Sequence, residues 1–280
     1  MSAPTDTPGS RRFSGRRALV TGASRGIGAA TARRLAADGA DVAITARTAE
    51  RHPTLPGSLR QTAEHMAPFG GTVVTVPADL ADADDRATVV PRAEQGLGGP
   101  IDILVNNAAA AMYQPLMDFS LRRRRLIFEV NLHAPMDLAQ AVLPAMVERG
   151  EGWVVNVSSA TARLADLAHR GILGSTTGVY GASKAALNRL TNAVAMEVSG
   201  AGVRVNTVEP RSAVLSEGAD ALIGGSLSDD QVESMEEMVE AIVALCDCPP
   251  ERSGRTHVSL DLLRELALPV RRLDGTPGAG

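Results

Sequence analysis

The chain has 280 residues, 44% apolar, 21% charged and 2% aromatic, with a formal net charge of −4. That length buries a substantial core, and the mild acidity excludes a broad nucleic-acid-binding face, which needs a basic field. No run approaches the length of an apolar membrane span, and the early arginines precede no apolar secretory stretch.

Cys246 and Cys248 offer neither a disulfide framework nor zinc-ligand spacing. The expected setting is cytoplasmic, with no nucleic-acid or membrane partner and no metal. Residues 1–15 are rich in Pro, Ser, Thr and Gly and read as a flexible tail. Apolar runs then predict buried strands at Ala18–Thr21, Val42–Ala46, Thr72–Val76, Ile101–Asn106, Trp153–Ser158, Val203–Val208 and Thr256–Leu260. Helical patterns alternate with them at Ile27–Ala37, Leu59–Ala67, Asp84–Gly96, Leu121–Arg149, Tyr180–Val198 and Asp229–Cys246. Residues 263–280 read as a second tail. The alternation predicts an α/β fold: one doubly wound domain over residues 16–262, with a seven-stranded parallel sheet covered by helices on both faces.

The first strand runs into Thr21-Gly22-Ala23-Ser24-Arg25-Gly26-Ile27-Gly28 and then an alanine-rich helix. Gly22 suits a tight turn, Gly26 a close approach of backbone amides to a pyrophosphate, and Gly28 close packing of the helix on the sheet. The anion would rest on the helix's free N–H groups and positive dipole end. A tight turn that binds nothing is the plainer alternative. At the end of the second strand, where a carboxylate would select NAD, stand Ala46 and Arg47, with Arg25 offered from the glycine turn. Two cations and no acid favour a 2′-phosphate, hence NADP over NAD; a merely solvated Arg47 is the alternative.

Lys184 is the sole lysine among 28 Lys and Arg residues, and it follows one of only two tyrosines, Tyr180, by four positions. Residues i and i+4 share a helix face. A lysine ammonium is a compact charge with a tunable pKa, which arginine is not. Hydride reduction of a ketone leaves an alkoxide that needs a proton donor. A phenol serves if its pKa of about 10 falls by about three units, which takes roughly 4 kcal/mol of phenolate stabilisation. A nearby cation, together with the charge of an oxidised nicotinamide, is a source of it.

These residues resemble the short-chain dehydrogenase/reductase family over about Arg16 to Leu262. The shared motifs are Thr21–Gly28, Asp79-Leu80, Asn106-Asn107-Ala108, Asn131, Asn156-Val157-Ser158-Ser159 and Tyr180-Gly-Ala-Ser-Lys184. The resemblance implies a Rossmann-type fold and a catalytic tetrad of Asn131, Ser159, Tyr180 and Lys184, with Ser158 the alternative to Ser159. It implies coenzyme contacts from Gly22, Ser24, Arg25, Gly26, Ile27, Gly28, Arg47, Asp79, Leu80, Asn107, Ala108, Tyr180, Lys184 and Pro210. Asp79 could instead cap the next helix. In relatives the asparagine lies at a helix interruption, and two long helices, here Leu121–Arg149 and Tyr180–Val198, build dimers or tetramers. The implied activity is NADP-dependent interconversion of an alcohol and a ketone or aldehyde on a small molecule. A non-catalytic NADP(H) sensor on the same fold is the rival.

Three positions depart from the family pattern. Ala109 stands where Asn-Asn-Ala usually ends in glycine, and Pro210-Arg211 replaces Pro-Gly in the loop that carries the nicotinamide amide in relatives. Residues 160–179 are longer than the family spacing and read as a partly apolar flap over the substrate pocket.

Overall fold

A computed structural model describes residues 11–52, 54–164, 176–217, 220 and 232–278. The strands are β1 (Arg17–Thr21), β2 (Asp41–Ala46), β3 (Val73–Pro77), β4 (Ile103–Asn106), β5 (Gly152–Val157), β6 (Val203–Glu209) and β7 (Thr256–Val258). All pairings are parallel, in the order β3-β2-β1-β4-β5-β6-β7. Successive side chains of a strand point to opposite faces. Thus Val20, Ile44, Val105 and Val155 join one apolar layer, and Leu19, Ala43, Leu104 and Val154 join the other.

The first layer is closed by α1 (Gly26–Ala37), α2 (Leu59–Met66) and α8 (Met235–Leu245). The second is closed by α4 (Val89–Leu97), α6 (Ala134–Arg149) and α7 (Gly178–Glu197). Short α3 (Ala83–Ala87) precedes α4, α5 (Leu121–Phe128) precedes α6, and α9 (Ser259–Glu265) follows β7. No helix among the described residues is long and apolar enough to cross a membrane.

Four boundaries differ from the sequence reading, each for a local reason. The helix expected over Asp84–Gly96 divides at Thr88, because Pro91 has no N–H for the carbonyl of Ala87. The strand expected to reach Leu260 stops at Val258, where α9 begins. The helix expected from Asp229 begins at Met235, fixed by a capping box between Ser234 and Glu237; residues 229–231 lie outside the described part. The long helix expected over Leu121–Arg149 is interrupted by a π turn at Glu129–His133, which holds Asn131 as anticipated.

The expected tails are anchored wherever they are described. Phe13 is buried and its N–H donates to Asp38 O (2.9 Å). Leu268 and Val270 pack on the core, and Arg271 pairs with Pro277 in a β-bridge. The bulk of the expected flap, residues 165–175, lies outside the described residues, and its preceding segment forms a 3₁₀ turn at Ala160–Ala162.

A buried polar relay ties the middle of the sheet to α7. Asn106 Nδ2 donates to Asn156 Oδ1 (2.9 Å), and Asn156 Nδ2 donates to Thr191 Oγ1 (2.8 Å). Thr207 Oγ1 also donates to Thr191 Oγ1 (2.8 Å). Buried amides and hydroxyls demand partners; this arrangement supplies them to Asn156, Thr191 and Thr207, while Asn106 Oδ1 has none among the described residues.

Candidate active site

A cleft of about 1070 Å³ opens beyond the carboxyl ends of β1, β2, β4, β5 and β6. The strand order reverses direction at β1 and β4, the position where open α/β sheets leave a crevice. Gly22 leaves β1 with φ +66°, and a Cβ there would stand 2.7 Å from Ala108 Cα. Gly26 has φ +58°. A Cβ on Gly28 would collide with Asn107 Nδ2 and approach Gly22 O to 2.6 Å. Gly28 therefore admits the loop after β4 rather than the sheet expected from the sequence.

Thr21 braces that loop: its Oγ1 accepts from the N–H groups of Asn107 and Ala108, both at 3.0 Å. Asn107 Nδ2 donates to Thr21 O (2.9 Å), so this side chain shapes the cradle as well as lining it. Helix α1 has no capping side chain at Arg25 and no acid in its first turn. Its leading N–H groups and positive end suit an anion. Ser24 and Ile27 line the cleft beside them.

The two cations differ in their commitments. Arg25 donates to Pro56 O (2.8 Å), Gly57 O (3.2 Å) and Thr48 Oγ1 (3.5 Å), so it holds the 54–57 loop over the glycine turn. Burial lowers its pKa, with Glu217 opposing and Arg47 reinforcing the shift. Arg47 is exposed in the cleft and has no hydrogen bond or ion pair among the described residues. Asp79 lines the cleft and its Oδ1 accepts from Ala81 N (3.0 Å). The alternative role, capping the next helix, falls to Asp82. Leu80 is buried at the cleft wall.

Tyr180 and Lys184 lie one turn apart on α7, both buried. Lys184 Nζ donates to Val157 O (2.7 Å) and sits 6.0 Å from the centroid of the Tyr180 ring. Tyr180 shares a side-chain hydrogen bond with Ser159. Ser159 Oγ also accepts from Thr161 N (3.2 Å) and Thr161 Oγ1 (2.9 Å), which caps the 160–162 turn. Ser158 Oγ is buried without a partner among the described residues. Gly181 meets Thr161 O so closely that any side chain there would part α7 from this turn.

Burial pushes the Tyr180 phenol well above its ordinary pKa; nearby Tyr113 adds to the rise, and Ser159 opposes it. Burial also brings Lys184 down to about 8. Desolvation dominates both groups, and the phenol is protonated at neutral pH, the state of a proton donor.

Asn131 is fully buried in the π turn but does not reach Lys184. Its Oδ1 accepts from Ala110 N (2.7 Å), and its Nδ2 donates to Ala110 O (3.1 Å) and Ser183 Oγ (3.0 Å). It thereby joins the loop after β4 to the helix of Tyr180. Pro210 lines the cleft, whereas Arg211 pairs with Asp261 and its N–H donates to Glu233 Oε2 (2.9 Å). Ala109 is exposed on the cleft wall, with Ala110, Ala111 and Met112 beyond it.

Sequence reasoning missed Thr21, Tyr113, Ser183 and Glu233. Thr21 and Ser183 stood inside quoted motifs without a role of their own, Tyr113 was the second of two tyrosines, and Glu233 carried no signal. The glycine cradle, the uncapped positive end of α1 and the uncommitted Arg47 together fit a nicotinamide dinucleotide.

Comparison with known proteins agrees with this geometry. The family profile described as short chain dehydrogenase matches residues 16–220. Ketoacyl reductase HetN of Nostoc sp. is 35% identical over 198 residues, 71% of this chain and 63% of its own length. Hydroxysteroid dehydrogenase-like protein 2 of Bos taurus is 30% identical over 258 residues, 92% of this chain and 60% of its own. The chain thus spans less than two thirds of these curated relatives. A crystal structure of 3-oxoacyl (acyl-carrier-protein) reductase from Agrobacterium tumefaciens with NADP bound superposes with a TM-score of 0.74 at 31% identity, covering 91% of this chain and 96% of that one.

Proposed function

The chain belongs to the short-chain dehydrogenase family, and from that premise we propose that it interconverts an alcohol with a ketone or aldehyde, using NADP(H) in preference to NAD(H). The coenzyme, when bound, supplies or accepts the hydride. Ser159 holds the substrate oxygen by a hydrogen bond. Tyr180 gives that oxygen its proton during reduction and takes it back during oxidation. Lys184 stands behind the ring, and Asn131 fixes the loop and helix that frame the reacting atoms.

The observation that carries this reading is the placement of buried Tyr180 and Lys184 with Ser159 in the same cleft as the glycine cradle. The wall beside it, Ala110, Ala111, Met112, Leu126 and Val130, suits an aliphatic or mixed substrate. Large apolar side chains stay exposed on α5, α6 and α7, namely Leu121, Val147 and Met196. They support assembly into a homodimer or homotetramer through these helices, which sedimentation measures.

The test is NADPH oxidation against a panel of ketones and aldehydes. Wild type should turn over, and Tyr180→Phe should lose about 10²–10⁴-fold in rate while binding NADPH with unchanged affinity. Wild-type binding without turnover of any carbonyl would identify a coenzyme sensor instead.

A further inference from the structure

We propose that Arg163 is a positioning residue that locks the Pro210–Arg211 loop, at the nicotinamide end of the coenzyme site, to the turn carrying Ser159. The inference rests on the coenzyme reading above. Three of the five guanidinium N–H donors are engaged. Arg163 Nε donates to Glu209 Oε1 (2.6 Å), Nη2 to Pro210 O (3.1 Å) and Nη1 to Arg211 O (3.3 Å). A planar fork can gather a carboxylate and two successive carbonyls, whereas a lysine ammonium cannot span them.

The loop needs such a clamp. Pro210 has no N–H to anchor, and Arg211 stands where a glycine would supply conformational freedom. Arg211 keeps negative φ, since Ala267 is the one non-glycine residue with positive φ among the described residues. From the opposite side Glu233 accepts the Arg211 N–H, and its own N–H donates to Ala213 O (2.8 Å). The loop is therefore gripped on two flanks, by Arg163 and by Glu233.

Glu209 makes the Arg163 contact costly to lose. Its carboxylate is buried, 3% exposed, and Oε2 has no partner among the described residues. Without Arg163 a buried charge would stand uncompensated, and the end of β6 would shift to hydrate it. Arg163 also closes the 160–162 turn through its N–H to Ala160 O (3.2 Å). That turn is capped by Ser159 and underlies α7 at Gly181. Arg163 thus couples the coenzyme loop, held by its side chain, to the turn of Ser159, closed by its backbone N–H.

The experiment compares equilibrium binding of NADPH and of adenosine 2′,5′-bisphosphate, which lacks the nicotinamide half, to the full chain. Arg163→Ala should weaken NADPH about tenfold or more and leave the bisphosphate within about twofold of wild type. Arg163→Lys, which keeps a charge beside Glu209 but loses the fork, should show the same selective loss to a smaller degree, and it carries the test if Arg163→Ala does not fold. Unchanged NADPH affinity in both variants, or equal loss of both ligands, overturns the proposal. Failure of wild type to bind either ligand instead overturns the coenzyme reading itself.

Discussion

The rings of Tyr113 and Tyr180 meet edge to face, with centroids 5.6 Å apart and planes inclined at 66°. They are the chain's only tyrosines, and Tyr113 both covers Tyr180 and raises its pKa. Tyr113→Phe keeps the cover, while Tyr113→Ala admits water. Each variant leaves Tyr180 as the sole phenol, so tyrosinate absorbance follows its titration directly. The alanine variant should titrate at lower pH than the phenylalanine variant; coincident curves would mean that Tyr113 does not shield the phenol.

Lys184 links proton chemistry to stability. Its folded pKa of about 8 lies below the unfolded value of 10.5. Between these pH values the unfolded chain binds more protons, so this group makes stability rise with pH across the window. Below pH 8 its burial costs on the order of 3 kcal/mol, offset in part by the bond to Val157 O. Lys184→Met should therefore be inactive yet more stable than wild type near pH 7. The difference in denaturation free energy should shrink as pH rises from about 8 to 10.5; a constant difference contradicts the assignment.

The contrast between the two arginines predicts different losses. Arg47→Ala removes the uncommitted cation and should weaken NADPH about 10–100-fold, a charged hydrogen bond's worth, with NADH affinity unchanged. Arg25→Ala releases the carbonyls of Pro56 and Gly57 and should weaken both coenzymes together. Fluorescence titration of each coenzyme distinguishes the two patterns.

Gly28 tests the cradle itself. Its φ is ordinary, so alanine is tolerated by the backbone, but the new methyl would displace Asn107 from Thr21 and Gly22. Gly28→Ala should cost about 1–3 kcal/mol in stability, as overpacking does, together with most of the NADPH affinity. An unaltered melting temperature would show that the loop after β4 gives way without penalty.

The sheet was legible because buried parallel strands read as near-continuous apolar runs, and all seven appear where such runs lie. Motif order singled out Asn131, Ser159, Tyr180 and Lys184, and three of them, Ser159, Tyr180 and Lys184, line one cleft. Asn131 was placed correctly in a helix interruption, but its partners Ala110 and Ser183 are 21 and 52 residues away in sequence, and no local pattern encodes such a contact. The commitment of Arg25 to the 54–57 loop was hidden for the same reason. The rise of the Tyr180 phenol was hidden because its leading cause is burial, a property of the assembled core.

The π turn at Glu129–His133 makes the angular phase between α5 and α6 depend on a single residue. Removing one residue there would restore regular helical winding, yet swing α5 by about 100° relative to α6. Ile127 would leave its contacts with Phe119 and Val179. A chain one residue shorter could keep a continuous helix or keep the grip of Asn131 on both neighbours, but not both.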